Sequence, residues 1–205
     1  FFWRSSLNVN LGWTKYDEDT TDGDDQGGYD KTTDVFSISS LYGYKLTEKM
    51  AISGLAEYRT SFSEFNDPGY LDVGVGVTWT PISELVVVVH PLNYNFVFSD
   101  GVNEYESSLG AKVVADYNKQ IGKFKFRSNL SAFHSYEDSD FSNVTWVNTL
   151  GFNVWKGIGV GLESGLRSNK QEAFNALLAE EPTSTLSETN NELQSYWLVG
   201  LSFAF

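Results

Sequence analysis

Eleven charged side chains hold most of the chemistry this sequence could do: Arg4, Glu57, Arg59, Asp72, Glu106, Lys112, Asp116, Lys125, Arg127, Glu163 and Arg167. Each stands opposite the apolar side of a segment that alternates with period two, so all share the expected inward face of a β-wall. Six are cations and five are carboxylates. A nearly balanced set confined to a narrow interior pairs with itself, because each unpaired buried charge costs several kcal/mol. The expected product is a salt-bridged plug filling a lumen. The sharper alternative is a selectivity lining, since rings of charged side chains select ions.

Other candidate chemistry is thin. His90 and His134 are the only histidines, and neither has a Ser or Cys nucleophile at a readable spacing. His134 with Glu137 and Asp138 is the one acid–base candidate, and its strand phase points away from the interior. The sequence therefore reads as no enzyme, with no catalytic set and no cofactor. Asp17, Glu18, Asp19, Asp22, Asp24, Asp25 and Asp30 crowd one segment and could offer oxygen ligands to Ca²⁺. Their spacing departs from the D-x-[DN]-x-[DN]-G pattern, and a solvated loop is the better reading. Cysteine is absent, which removes disulfides and Cys-based metal sites.

The elements that must position these charges are strands. Trp3, Ser5, Leu7, Val9, Leu11 and Trp13 share one face, and Arg4, Ser6, Asn8, Asn10, Gly12 and Thr14 the other. At roughly 3.3 Å per residue and a tilt near 40°, Trp3 and Trp13 lie about 25 Å apart along a barrel axis, the spacing of two aromatic girdles. Similar alternation recurs over 34–45, 50–62, 70–80, 84–98, 104–117, 124–136, 143–155, 158–168 and 192–205. Pro91 cannot donate to a ladder, so a bulge is expected at His90-Pro91 that resets the phase and turns Leu92, Tyr94, Phe96 and Phe98 outward. The polar run 16–33 reads as a loop, and 171–180 as a short helical possibility inside a long polar connection. Connections alternate long and short, as in outer-membrane barrels. Ten strands leave little more bore than the roughly eight that side chains fill completely.

Composition agrees. The chain has 205 residues, enough for a single domain, 1–205. Its mean hydropathy is -0.27. No apolar run approaches the roughly 20 residues of a spanning helix, but alternating strands cancel in any hydropathy window. A net charge of -13 argues against nucleic acid as a partner. The absence of an initiator Met and leader suggests a processed or incomplete product.

The terminal strand resembles the closing strand of a bacterial outer-membrane barrel. There a terminal aromatic is the signal read by the barrel-assembly machinery, which implies that role for Trp197, Val199, Leu201, Phe203 and Phe205. The stretch from Asp34 to Ala173 resembles a family of Bacteroidota outer-membrane barrels classed as a domain of unknown function. The resemblance rests on Tyr42-Gly43-Tyr44, Glu57-Tyr58-Arg59-Thr60, Pro68-Gly69-Tyr70-Leu71 with Gly74-Val75-Gly76, His90-Pro91-Leu92 and Leu109-Gly110-Ala111. Trp3, Leu7 and Gly12 fit the strand before these. Members carry further upstream sequence that this chain lacks, so a missing N-terminal hairpin would make twelve strands of ten. The family brings no activity and no functional residues.

The expectation is an all-β, transmembrane, antiparallel up-and-down barrel in the bacterial outer membrane. Its partners are outer-membrane lipid, the barrel-assembly machinery and other outer-membrane proteins. Its function is that of a structural or accessory subunit of a barrel-assembly or secretion complex; the alternative is a small transport channel. Small or polar gaps in the lipid face at Ser5, Gly54, Ala56, Asn148 and Ser164 leave room for another protein.

Overall fold

The computed structural model describes residues 1–15, 29–99, 105–155, 158–180, 184–186, 189–190 and 193–203. Among the described residues ten strands form one sheet in which each pairs only with its neighbours in sequence, all antiparallel. They are β1 (Phe2–Lys15), β2 (Tyr29–Lys45), β3 (Met50–Thr60), β4 (Gly69–Ile82), β5 (Leu85–Phe98), β6 (Ser108–Ile121), β7 (Phe124–Ser135), β8 (Asn143–Trp155), β9 (Ile158–Asn169) and β10 (Gln194–Phe203). An α-helix, α1 (Lys170–Glu180), lies between β9 and β10. Connections at one rim are short, at 46–49, 83–84, 122–123 and 156–157, and those at the other are longer. Gly122 has φ +59°, the left-handed backbone that a two-residue hairpin needs and glycine supplies without strain.

Two strands depart furthest from the sequence reading. Tyr29–Thr33 belong to β2 and not to a loop, because Lys15↔Tyr29 and Thr14↔Asp30 carry the ladder beyond the alternating stretch. The strand expected over 104–117 is Ser108–Ile121, since its pairing with β7 runs on to Ile121↔Phe124. The acidic segment lies almost wholly outside the described residues.

The sheet curls on itself. Arg59 of β3 and Arg167 of β9 both reach the carboxylate of Glu172. In a flat sheet at roughly 4.8 Å per strand those strands would stand about 29 Å apart. The wall is therefore that of an up-and-down barrel. Among the described residues no pairing joins β1 to β10, so each keeps one free backbone edge.

The outer face is apolar and uncovered. Trp3, Leu7, Ile52, Val75, Leu92, Trp197 and Val199 are all more than half exposed, which suits a wall facing lipid. Aromatics gather at both rims, as Phe1 against Tyr44 and Phe124 against Phe152 by the short turns, and Tyr94 against Phe96 towards the other end. Polar groups within this face bond to one another. Trp3 Nε1 donates to Ser40 Oγ at 2.7 Å and Trp146 Nε1 to Ser128 Oγ at 2.9 Å. Asn148 pairs across the ladder with Ser128 and Ser164 and lines a shallow outer hollow beside Trp146.

The expected bulge decides what lies inside. Between Val75↔Leu92 and Val77↔Val89, β5 carries one residue more than β4. His90 and Asn93 therefore both point inward and are fully buried, and Asn95 follows. Without the extra residue those two amides would face hydrocarbon, where nothing could bond them.

Candidate functional site

The interior is packed on the β2–β6 side. Leu41, Leu55 and Val88 form a buried apolar cluster with Phe2, Val86 and Val114 packed against it. Beside it His90 Nε2 bonds Ser53 Oγ at 3.0 Å, and Thr78 Oγ1 donates to Ser53 at 2.8 Å. A charged block follows. Lys112 donates to Asp72 and lies 3.0 Å from Glu57. Asp72 also accepts the amides of Asn93 at 2.8 Å and Asn95 at 3.2 Å. Inward glycines make room for these bulky groups. A Cβ on Gly74 would overlap the Asn93 amide, and one on Gly110 would come within 2.7 Å of the Phe133 ring. Small and large residues alternate so that the bore is filled here.

The β8–β10 side is different. Gly151, Gly161 and Gly200 stand opposite one another along the ladder, all on the inward face. A Cβ on Gly161 or Gly200 would meet nothing within 4 Å, and one on Gly151 only backbone oxygens at 4.0 Å. Around this open strip lie partly wet polar groups. Arg127 Nε is 3.8 Å from Asp116 Oδ1. Glu163 accepts from the Tyr196 hydroxyl at 3.1 Å and from Thr149 at 3.4 Å.

At the rim with the longer connections α1 lies across the bore. Glu172 on its first turn accepts from the Tyr70 hydroxyl at 2.9 Å, receives Arg167, and has Arg59 at 3.9 Å. Arg59 also stacks over the Tyr70 ring at 4.8 Å. Lys170 pairs with Asp140 at 2.7 Å. Gln171 receives the Glu106 backbone N–H at 2.6 Å, and Phe174 is buried. Tyr105, outside the strands, packs edge-on to Tyr70, and burial followed by the Glu172 charge pushes its hydroxyl up to about 12.

The eleven charges thus fall into separate groups. Glu57, Asp72 and Lys112 share one buried block; Asp116 and Arg127 form a looser pair; Arg59 and Arg167 meet at Glu172. Glu163 and Arg167, four apart on one face, take different partners. Glu106 precedes β6, is exposed and reaches α1 through its backbone, so it does not join the lumen groups. Arg4 is exposed on β1 and Lys125 on β7, and neither pairs with a charged described residue. Trp197 and Val199 face outward on β10; Leu201 and Phe203 lie on its backbone, and Phe205 is outside the described residues. His134 is exposed, with Nδ1 3.2 Å from Ser142 Oγ. The charge pattern missed Glu172, Tyr70, Asn93 and Asn95. The phase beyond the bulge already turned both asparagines inward, and Glu172 sat in the helical stretch of the last long connection.

An apolar outer face around a polar, partly filled interior defines a transmembrane-type β-barrel. A family model described as protein of unknown function (DUF3078) matches residues 1–65, overlapping the stretch of the sequence resemblance only from 34 onward. Among solved structures the chain is similar to the NanC porin in a rhombohedral crystal form, at 11% identity and a TM-score of 0.45, over 99% of this chain and 92% of that one. No curated protein matches.

Proposed function

We propose that the chain forms the wall of an outer-membrane barrel that works as a small transport channel. The observation that carries this reading is the asymmetry of the lumen. The β3–β6 side is packed solid, whereas the Gly151–Gly161–Gly200 strip leaves open space beside Arg127, Asp116 and Glu163. Glycines in a strand interior weaken it and are kept where something must pass close to the backbone. Here a Cβ on Gly161 or Gly200 would meet no atom of the described residues within 4 Å.

The purified protein in a planar bilayer is expected to give steady conductance steps. Gly161→Trp, which places an indole in the open strip, should at least halve the unit conductance and leave thermal unfolding in detergent unchanged. A folded protein that stays silent, or one indifferent to the indole, contradicts the channel.

The free edges of β1 and β10 favour a second reading, an accessory subunit of a larger outer-membrane assembly. Open sheet edges do not persist in hydrocarbon, and strands from another outer-membrane protein could complete the wall. Affinity purification from native membranes should then recover that protein in stoichiometric amount, and recovery of this chain alone excludes it.

A further inference from the structure

We propose that Tyr70, Arg167 and Arg59 form a carboxylate-binding site at the mouth of the bore, occupied here by the chain's own Glu172, and that the solutes admitted are small carboxylates. The inference rests on the channel reading and names its substrate class.

The cradle belongs to the wall, while its occupant does not. Arg59 on β3 and Tyr70 on β4 are partners in one ladder, and Arg167 on β9 meets them from across the bore at Glu172. Glu172 is delivered from the connection between β9 and β10. The Tyr70 side chain is buried, with its hydroxyl 2.9 Å from Glu172 Oε1, and Arg167 takes Oε2. Arg59, stacked on the Tyr70 ring, faces the same oxygen as Tyr70 at 3.9 Å. Planar guanidinium groups with a hydroxyl suit the two oxygens of a carboxylate.

Two guanidinium groups around one carboxylate leave the cradle with an excess of positive charge even when filled. Cations also prevail along the open side below it. Arg4, Lys125 and Arg127 face inward there against Asp116 and Glu163. This local balance opposes the net charge of the whole chain, -13. Because Glu172 bridges β3 and β9 across the bore, a solute entering at this rim must displace it. A solute carrying its own carboxylate replaces the bonds that Glu172 gives up; a neutral one leaves both arginines without a partner.

The test is carboxylate rescue of a vacated cradle. Glu172→Ala in detergent should melt below wild type and recover most of the lost Tm in glucuronate, saturably. Glucose should give no recovery, and chloride at equal ionic strength should give less. Adding Arg167→Ala should abolish the glucuronate effect. If Glu172→Ala fails to fold, Glu172→Gln keeps the side chain's shape and should bind glucuronate by calorimetry where wild type does not. Recovery matched by chloride, or retained without Arg167, overturns the site. Conductance of the same variants in chloride is read separately. Conduction without any carboxylate response leaves the channel standing and removes the site, and carboxylate binding in a barrel that never conducts does the reverse.

Discussion

Lys112→Met is expected to be the most damaging single substitution in the wall, at about 3–5 kcal/mol, the usual consequence of removing one partner from a buried ion pair. The Lys112 side chain is 5% exposed and touches two carboxylates, Asp72 and Glu57. Without it Asp72 keeps the amides of Asn93 and Asn95, but its charge has no counterion, and Glu57 loses its cation. Arg127→Met is the control. Its guanidinium side chain is 60% exposed and lies 3.8 Å from Asp116, so water compensates the loss and the change should be under about 1 kcal/mol. Combining Lys112→Met with Asp72→Asn and Glu57→Gln should return much of the stability, because a buried charge group removed as a whole is often close to neutral. Denaturant unfolding in detergent measures all three. A Lys112→Met variant no weaker than Arg127→Met would show that the block is wet and the bore unfilled.

The second large effect separates two glycines on the same inward face. Gly76→Val should cost about 3 kcal/mol or more, at or beyond the upper end of the overpacking range. A Cβ there would overlap the Val89 carbonyl and sit 2.7 Å from His90 Cα. Both are backbone atoms of the bulged strand, which cannot retreat without breaking the β4–β5 ladder and releasing His90 from Ser53. A Cβ on Gly161 meets nothing within 4 Å, which leaves room for the valine of Gly161→Val. It should stay within about 0.5 kcal/mol of wild type, since an isopropyl group in open space disturbs no packing and stiffens the strand. Unfolding of the two variants side by side decides the matter; equal losses would mean that the strip beside Gly161 is filled.

The two contrasts mark what could be read from the chain and what could not. Strand phase was legible. Tyr70, Asp72 and Thr78 alternate with Leu71, Val73, Val75, Val77 and Trp79, and the structure turns the first set in and the second out. The Pro91 bulge was legible too, because a missing N–H and a broken alternation are local facts. So were the ten antiparallel strands and the alternating connection lengths. The partners of the inward charges were not legible: the Arg59 side chain is 30% exposed and turns to Glu172, while Glu57 pairs with Lys112.

Period-two alternation determines on which face each side chain stands, and so the sequence by itself determined an apolar outside, a charged inside and the order of the strands. Which charges meet depends on the stagger between strands and on how far the sheet curls. Only the tertiary structure brought Lys112 between Asp72 and Glu57, set Arg59 and Arg167 on either side of Glu172, and filled the bore at Gly76 while leaving it open at Gly161. Neighbours along a strand are a property of the chain. Neighbours across a lumen are a property of the curl of the sheet, and no spacing within one strand encodes them.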